Sequence, residues 1–137
     1  MIRNTLIALS LLTTTAHAIT EKEMTDVLAA IRIVESNDDP NAVGDGGDSI
    51  GCYQIQKCYW LDAKEFSDLG GTYLDCYNRG YADRTVRFYM ARYATERRLG
   101  REVTQEDIAR IHNGGPNGYK KECTKKYWAK VKKILNG

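Results

Sequence analysis

Residues 34–55 read Val34-Glu35-Ser36-Asn37-Asp38-Asp39-Pro40-Asn41-Ala42-Val43-Gly44-Asp45-Gly46-Gly47-Asp48-Ser49-Ile50-Gly51-Cys52-Tyr53-Gln54-Ile55, and the two ends of the stretch follow different rules. Upstream of it, Met24, Val27, Leu28, Ile31 and Val34 recur at helical spacing. Glu35 lies four residues after Ile31 and seven after Leu28, so it falls on the same apolar face. Pro40 and the glycines at 44, 46, 47 and 51 then forbid regular helix and predict a loop or short β-hairpin over residues 43–56. A helix therefore delivers a carboxylate to the edge of a polar, acidic, glycine-rich loop. Burial and the partial negative charge of a helix C-terminus both disfavour a carboxylate's charged form, which is the setting a general acid needs.

The chain has 137 residues, enough for one domain with a real core and too few for two. Residues 1–18 read as a secretory signal peptide: a positive start at Arg3, an apolar run from Leu6 to Leu12, and an Ala16-His17-Ala18 cleavage pattern. That run is far short of the ~20 residues a spanning helix needs, and no later stretch supplies them, so no stable membrane insertion is expected. The mature domain is then 19–137, secreted or periplasmic and expected to be a monomer. Losing the leader leaves 19 basic against 18 acidic residues, a balance that gives no reason to expect a nucleic-acid partner. The charges are unevenly spread, with acids early and Lys120, Lys121, Lys125, Lys126, Lys130, Lys132 and Lys133 late. Such a run suits an anionic polymer or surface, or more commonly the wet face of a terminal helix. Cys52, Cys58, Cys76 and Cys123 in an exported chain predict disulfides, with all three pairings open. Zinc is disfavoured, because there is no C-x-x-C pair and His112 is the sole histidine after the leader.

Along the mature chain, Thr20-Glu21-Lys22-Glu23 is a capping box that starts a helix running to about Ser36. A short helix follows near Gln54–Ala63, with Tyr59 and Trp60 at or under the surface. Residues 78–99 form the expected central packing helix, its stripe being Ala82, Val86, Tyr89, Met90 and Tyr93. Thr104 with Asp107 resembles a second capping box, opening a short helix that ends at His112-Asn113-Gly114-Gly115. Thr124 is placed to cap a last helix that turns Tyr127, Trp128, Val131, Ile134 and Leu135 inward. The predicted class is α+β, helix-dominated, with one small β element.

Two carboxylates flanking a sugar bond, one protonated in an apolar setting and one ionised in a polar one, are the minimal glycosidase apparatus. Glu35 meets the first description; Asp45 and Asp48 compete for the second. An acidic glycine loop also raises calcium, but the spaced ligands and closing bidentate Glu of an EF-hand are missing. A Ser49/His112/Asp hydrolase lacks the G-x-S-x-G elbow.

Glu35-Ser36 followed by Gly51-Cys52-Tyr53-Gln54-Ile55 resembles the E-S…G-x-x-Q-I signature of lysozyme-like transglycosylase domains. With Tyr59-Trp60, Ala109-Arg110-Ile111-His112-Asn113-Gly114-Gly115-Pro116-Asn117-Gly118 and Tyr127-Trp128, the chain is similar to the invertebrate-type lysozyme (destabilase) family over roughly residues 26–135. The resemblance implies a lysozyme-like fold with a small β-hairpin or loop beside the cleft. It also implies cleavage of the β-1,4 bond between N-acetylmuramic acid and N-acetylglucosamine in peptidoglycan glycan strands, with no cofactor or metal. By motif position Glu35 matches the family's general acid, and Asp45 its second carboxylate if one residue is deleted from the loop. Ser49, Gln54, Tyr59, His112, Asn113 and Gly114 are the expected substrate-binding positions. Four cysteines, few for an animal member, point to a bacterial or phage-borne relative. Isopeptidase activity is not expected, because Gln56 rather than a lysine follows Ile55. A lytic transglycosylase with Glu35 as sole acid/base, and a glycan-binding protein without catalysis, are the alternatives.

Overall fold

A computed structural model describes residues 17–137. The expected leader, residues 1–18, lies almost wholly outside them. The first helix, α1 (Glu21–Ser36), begins as the capping box requires: the Thr20 side chain accepts from the Glu23 amide while the Glu23 carboxylate accepts from the Thr20 amide. It buries Val27, Leu28, Ala30 and Ile31. Truncating a fully buried leucine such as Leu28 to alanine removes about 2–5 kcal/mol. The helix stops at Asn37 and Asp38, both left-handed (φ 56° and 61°), and the Asp38 amide closes the turn onto the Arg32 carbonyl.

Three two-residue strands follow, β1 (Val43–Gly44), β2 (Ser49–Ile50) and β3 (Ile55–Gln56), in one antiparallel sheet in chain order. Val43 pairs with Ile50, which pairs in turn with Ile55. Gly51 must be glycine: its φ is 75°, and a Cβ there would stand 2.2 Å from the Cys76 carbonyl oxygen. Ser36 ties the sheet to α1, its hydroxyl donating to the Cys52 carbonyl at 2.8 Å.

Helix α2 (Lys57–Phe66) packs on α3 (Arg79–Tyr93). Tyr59 and Trp60 lie under the surface, both buried, and the Trp60 indole donates to the Tyr81 hydroxyl. The helix expected over 78–99 is two. Ala94 leaves helical geometry (ψ 70°), and Thr95 caps a short α4 (Glu96–Leu99) by accepting from the Arg98 amide. A threonine hydroxyl that can cap competes with continuation of the helix. The α3 stripe is buried at Ala82, Val86, Tyr89 and Met90, yet α5 (Gln105–Gly114) is as central, lying against α1, α3 and α6 (Lys125–Leu135).

Thr124 does not cap α6 with its side chain. It is buried, accepting from the Arg110 guanidinium and donating to the Gly118 carbonyl. A Cβ on Gly118 would lie 2.0 Å from the Arg110 carbonyl oxygen, so the turn after α5 closes only with glycine there. Tyr127 and Val131 face inward as expected, Trp128 and Leu135 are half-buried, and Ile134 is 39% exposed because an amphipathic helix of eleven residues presents only a narrow stripe to its neighbours. The cysteines are free thiols rather than disulfides. Cys52 and Cys76 sit in the core as small apolar residues, where burial pushes the Cys76 thiol up to about 12, while Cys58 and Cys123 are exposed. Among the described residues no helix is long and apolar enough to cross a membrane.

Candidate active site

A cleft of about 360 Å³ opens between the end of α1, the sheet, α2 and the end of α5. Glu35, Asp45, Ser49, Gln54, Tyr59, His112 and Asn113 all line it. Gly114 does not: a Cβ there would meet the Thr124 side chain, and Gly115 and Pro116 reach the cleft instead. Asp48 is likewise absent from the lining, whereas Asp45 faces Glu35's cleft.

Glu35 occupies the last turn of α1 with its side chain 21% exposed. It neither swings into bulk water nor packs away from the opening. Its Oε1 accepts a hydrogen bond of 2.7 Å from the Tyr127 hydroxyl, 92 residues further along the chain. Burial first, and then the Glu35 carboxylate, push the Tyr127 phenol far above its ordinary range, so it remains a donor at any working pH.

His112 lies on the same side. Its Nε2 stands 3.1 Å from the Tyr53 carbonyl oxygen and 3.6 Å from Glu35 Oε1, and its Nδ1 3.1 Å from the Tyr59 hydroxyl. A carbonyl can only accept, so Nε2 carries the proton and Nδ1 accepts from Tyr59. Burial lowers the imidazole's pKa, although Glu35 and the Tyr53 carbonyl pull the other way, and the ring is held neutral. The Tyr59 ring stacks on Tyr89 at 3.6 Å and forms the aromatic floor.

Asp45 has a different setting. It starts a three-residue turn between β1 and β2 with φ 51°, and it is exposed. The buried Ser49 hydroxyl donates to its Oδ2 at 2.5 Å. Gln54, also left-handed (φ 51°), spends its side-chain amide on the Ala42 and Gly51 carbonyls, so it holds the loop in shape. Ser49 and His112 are each engaged elsewhere, and the serine–histidine pair of a hydrolase triad is not formed. Asp62 adds a third carboxylate to the lining, and among the described residues no lysine or arginine joins it. The cleft is therefore acidic, while the lysines of α6 lie on the exposed face of that helix.

Behind the cleft, the buried Tyr53 hydroxyl accepts from Arg32 (3.0 Å) and donates to Asp83 (2.6 Å). Arg32 and Arg79 both donate to Asp38. This network pins the left-handed turn that separates Glu35 from the loop.

Tyr127, Gln56, Cys58, Asp62, Tyr89 and Pro116 also belong to the site or its wall and were not expected there from the sequence. For Tyr127 the one available signal was a hydroxyl in an otherwise apolar inward stripe, since a buried phenol needs a partner.

A model of the Destabilase family matches residues 24–134. The chain belongs to that family. It is 42% identical to Lysozyme 1 of Crassostrea virginica over 85 residues, which are 61% of this chain and 44% of that protein. It is 39% identical to an invertebrate-type lysozyme of Ruditapes philippinarum over 65% of this chain and 62% of the relative. The match thus spans less than two thirds of either relative's own length. In three dimensions it aligns with a chain in the crystal structure of Aeromonas hydrophila PliI in complex with Meretrix lusoria lysozyme. The TM-score is 0.69 at 32% identity, covering 87% of this chain and 93% of that one. The fold is that of invertebrate-type lysozymes, helix-dominated with a small three-stranded sheet, as expected. The relatives named come from molluscs, with a further one from a nematode, and lend no support to a bacterial or phage-borne origin.

Proposed function

We propose that this destabilase-family chain is a muramidase that cleaves the β-1,4 bond between N-acetylmuramic acid and N-acetylglucosamine in peptidoglycan. The observation that carries the reading is one cleft with two unlike carboxylates, Glu35 half-buried and hydrogen-bonded on one wall, Asp45 exposed on the other. Glu35 gives its proton to the glycosidic oxygen as the bond to the anomeric carbon breaks. Asp45, kept in place by Ser49, stabilises or attacks the oxocarbenium-like carbon, and water then completes hydrolysis as Glu35 takes back a proton. Tyr59 offers an aromatic face to a sugar ring, Asn113 an exposed amide, and Gln54 shapes the loop beneath Asp45. The same reading takes residues 1–18 as a leader removed on export and 19–137 as the secreted domain.

A lytic transglycosylase would need only Glu35, with the muramic acid 6-hydroxyl capturing the anomeric carbon. The presence of Asp45 on the lining favours hydrolysis. The test is digestion of purified peptidoglycan by the unsubstituted chain and by Glu35→Gln and Asp45→Asn, with products identified by mass spectrometry. Hydrolysis leaves reducing muramic acid ends, and both variants lose it. Anhydro ends made equally well by Asp45→Asn would replace the reading with transglycosylation. Binding without any product would replace it with a glycan-binding role, and an active Glu35→Gln would remove its central residue.

A further inference from the structure

The two oxygens of Glu35 are not equivalent. Oε1 accepts from the Tyr127 hydroxyl at 2.7 Å and has His112 Nε2 3.6 Å away. Oε2 has no partner among the described residues, and no buried side-chain oxygen there lacks one, so Oε2 is the oxygen open to solvent. We propose that Tyr127 is a positioning residue for the reaction, fixing Oε1 as the carbonyl oxygen of Glu35 so that the transferable proton sits on Oε2, facing the cleft. The inference rests on the reading of Glu35 as the general acid. It makes the last helix, α6, part of the catalytic apparatus rather than only a cover for the core.

The chemistry follows from what each neighbour can donate. A carboxylic acid has one O–H and one carbonyl oxygen, and a donor aimed at one oxygen decides which is which. When the proton leaves Oε2 for the glycosidic oxygen, charge grows on the carboxylate and the Tyr127 hydrogen bond becomes charge-assisted. It is stronger in the transition state than in the ground state, so it accelerates the step instead of merely tightening binding. The groups that face Glu35 are Tyr127 from α6, His112 from α5, Tyr59 from α2 behind the imidazole, and Asp45 across the cleft. His112 does not displace Tyr127 as the donor, because its Nε2 proton is committed to the Tyr53 carbonyl and its ring is neutral.

The experiment compares the full chain with Tyr127→Phe on soluble peptidoglycan fragments across pH. In Tyr127→Phe, kcat falls about tenfold or more while KM stays within about twofold. The alkaline limb of the kcat profile moves to higher pH, since a donor favouring the ionised carboxylate has gone. Val131→Ala, on the same inward face of α6 but not part of the cleft lining, lowers the melting temperature and leaves kcat and the limb in place below it. Should Tyr127→Phe not fold, a slowly exchanging tyrosine hydroxyl proton in the NMR spectrum of the unsubstituted chain, lost in Glu35→Ala, reports the same bond. Unchanged kcat and an unmoved limb in Tyr127→Phe, an equal shift in Val131→Ala, or absence of that proton would each overturn the inference. In those cases Glu35→Gln stays inactive and the reading of Glu35 stands, whereas an active Glu35→Gln would remove both.

Discussion

The two walls of the cleft put the same functional group to opposite uses. On one wall Glu35 ends a sixteen-residue helix, 21% exposed, with Tyr127 on one oxygen and a buried neutral imidazole nearby. On the other, Asp45 stands exposed in a left-handed turn among glycines, with the Ser49 hydroxyl donating to it. Helix and loop make this difference. A helix end can be packed against α5 and α6, so a side chain there is partly dried by both. A two-residue strand followed by a tight turn has no such neighbours and leaves its carboxylate wet. Among the described residues the non-glycine positions with positive φ, Asn37, Asp38, Asp45 and Gln54, all fall between α1 and β3. Such backbone conformations cluster where the surroundings hold them in place, here Arg32 and Arg79 on Asp38 and the Gln54 amide on two carbonyls.

The largest effect tests the two walls directly. Glu35→Gln is expected to lower kcat on peptidoglycan by about a thousandfold and Asp45→Asn by about a hundredfold, measured by release of reducing ends. Equal losses, or a larger loss at Asp45, would reverse the assignment of roles. Next comes the loop wall as structure. Gly51→Ala combines a left-handed φ with a backbone clash at the Cys76 carbonyl, so urea denaturation should show a loss of about 2–4 kcal/mol. A variant as stable as the original would mean that the loop can be rebuilt cheaply.

The helix wall is sharpened by pH. His112 has its pKa lowered in the folded state, chiefly by burial, below its ordinary value near 6.5. In that window the unfolded chain binds a proton that the folded chain does not, so stability is fully present above about pH 6.5 and declines as the pH drops toward the folded value. Urea midpoints at pH 7.5 and 5.5 should differ more in the unsubstituted chain than in His112→Gln, and equal differences would mean that the imidazole is not held neutral. The smallest effect is Ser49→Ala. It frees Asp45 to rotate, so kcat is expected to drop about three- to tenfold, with unfolding free energy changed by about 1 kcal/mol or less.

Much of this was legible in the chain. The capping boxes at Thr20 and Thr104 formed as written, because they depend on residues three apart. Glu35 reached the cleft because helical spacing put it on the face of Ile31, and Asp45 reached it because glycines kept the loop open. Thr124 has the sequence context of a cap and does not act as one. Its local pattern was right, but Arg110 and the Gly118 carbonyl, from other turns, claimed its hydroxyl. The apolar stripe predicts one helix over 78–99, but it runs only through Tyr93, where Thr95 offers a better cap. The motif predicts Gly114 in the cleft, and close packing against Thr124 turns it away.

What the amino-acid order alone settled was periodicity and local chemistry: a helix that ends on a carboxylate, a loop that cannot be helical, and the capping boxes at Thr20 and Thr104. Those signals act over a few residues, and short-range sterics and hydrogen bonds suffice to realise them. Which groups would meet Glu35 was decided only when α5 and α6 folded back onto α1, bringing His112 and Tyr127 to one oxygen across 77 and 92 residues of chain. A buried phenol or imidazole must find some partner, but many are acceptable in principle, and only close packing of the three helices selects one.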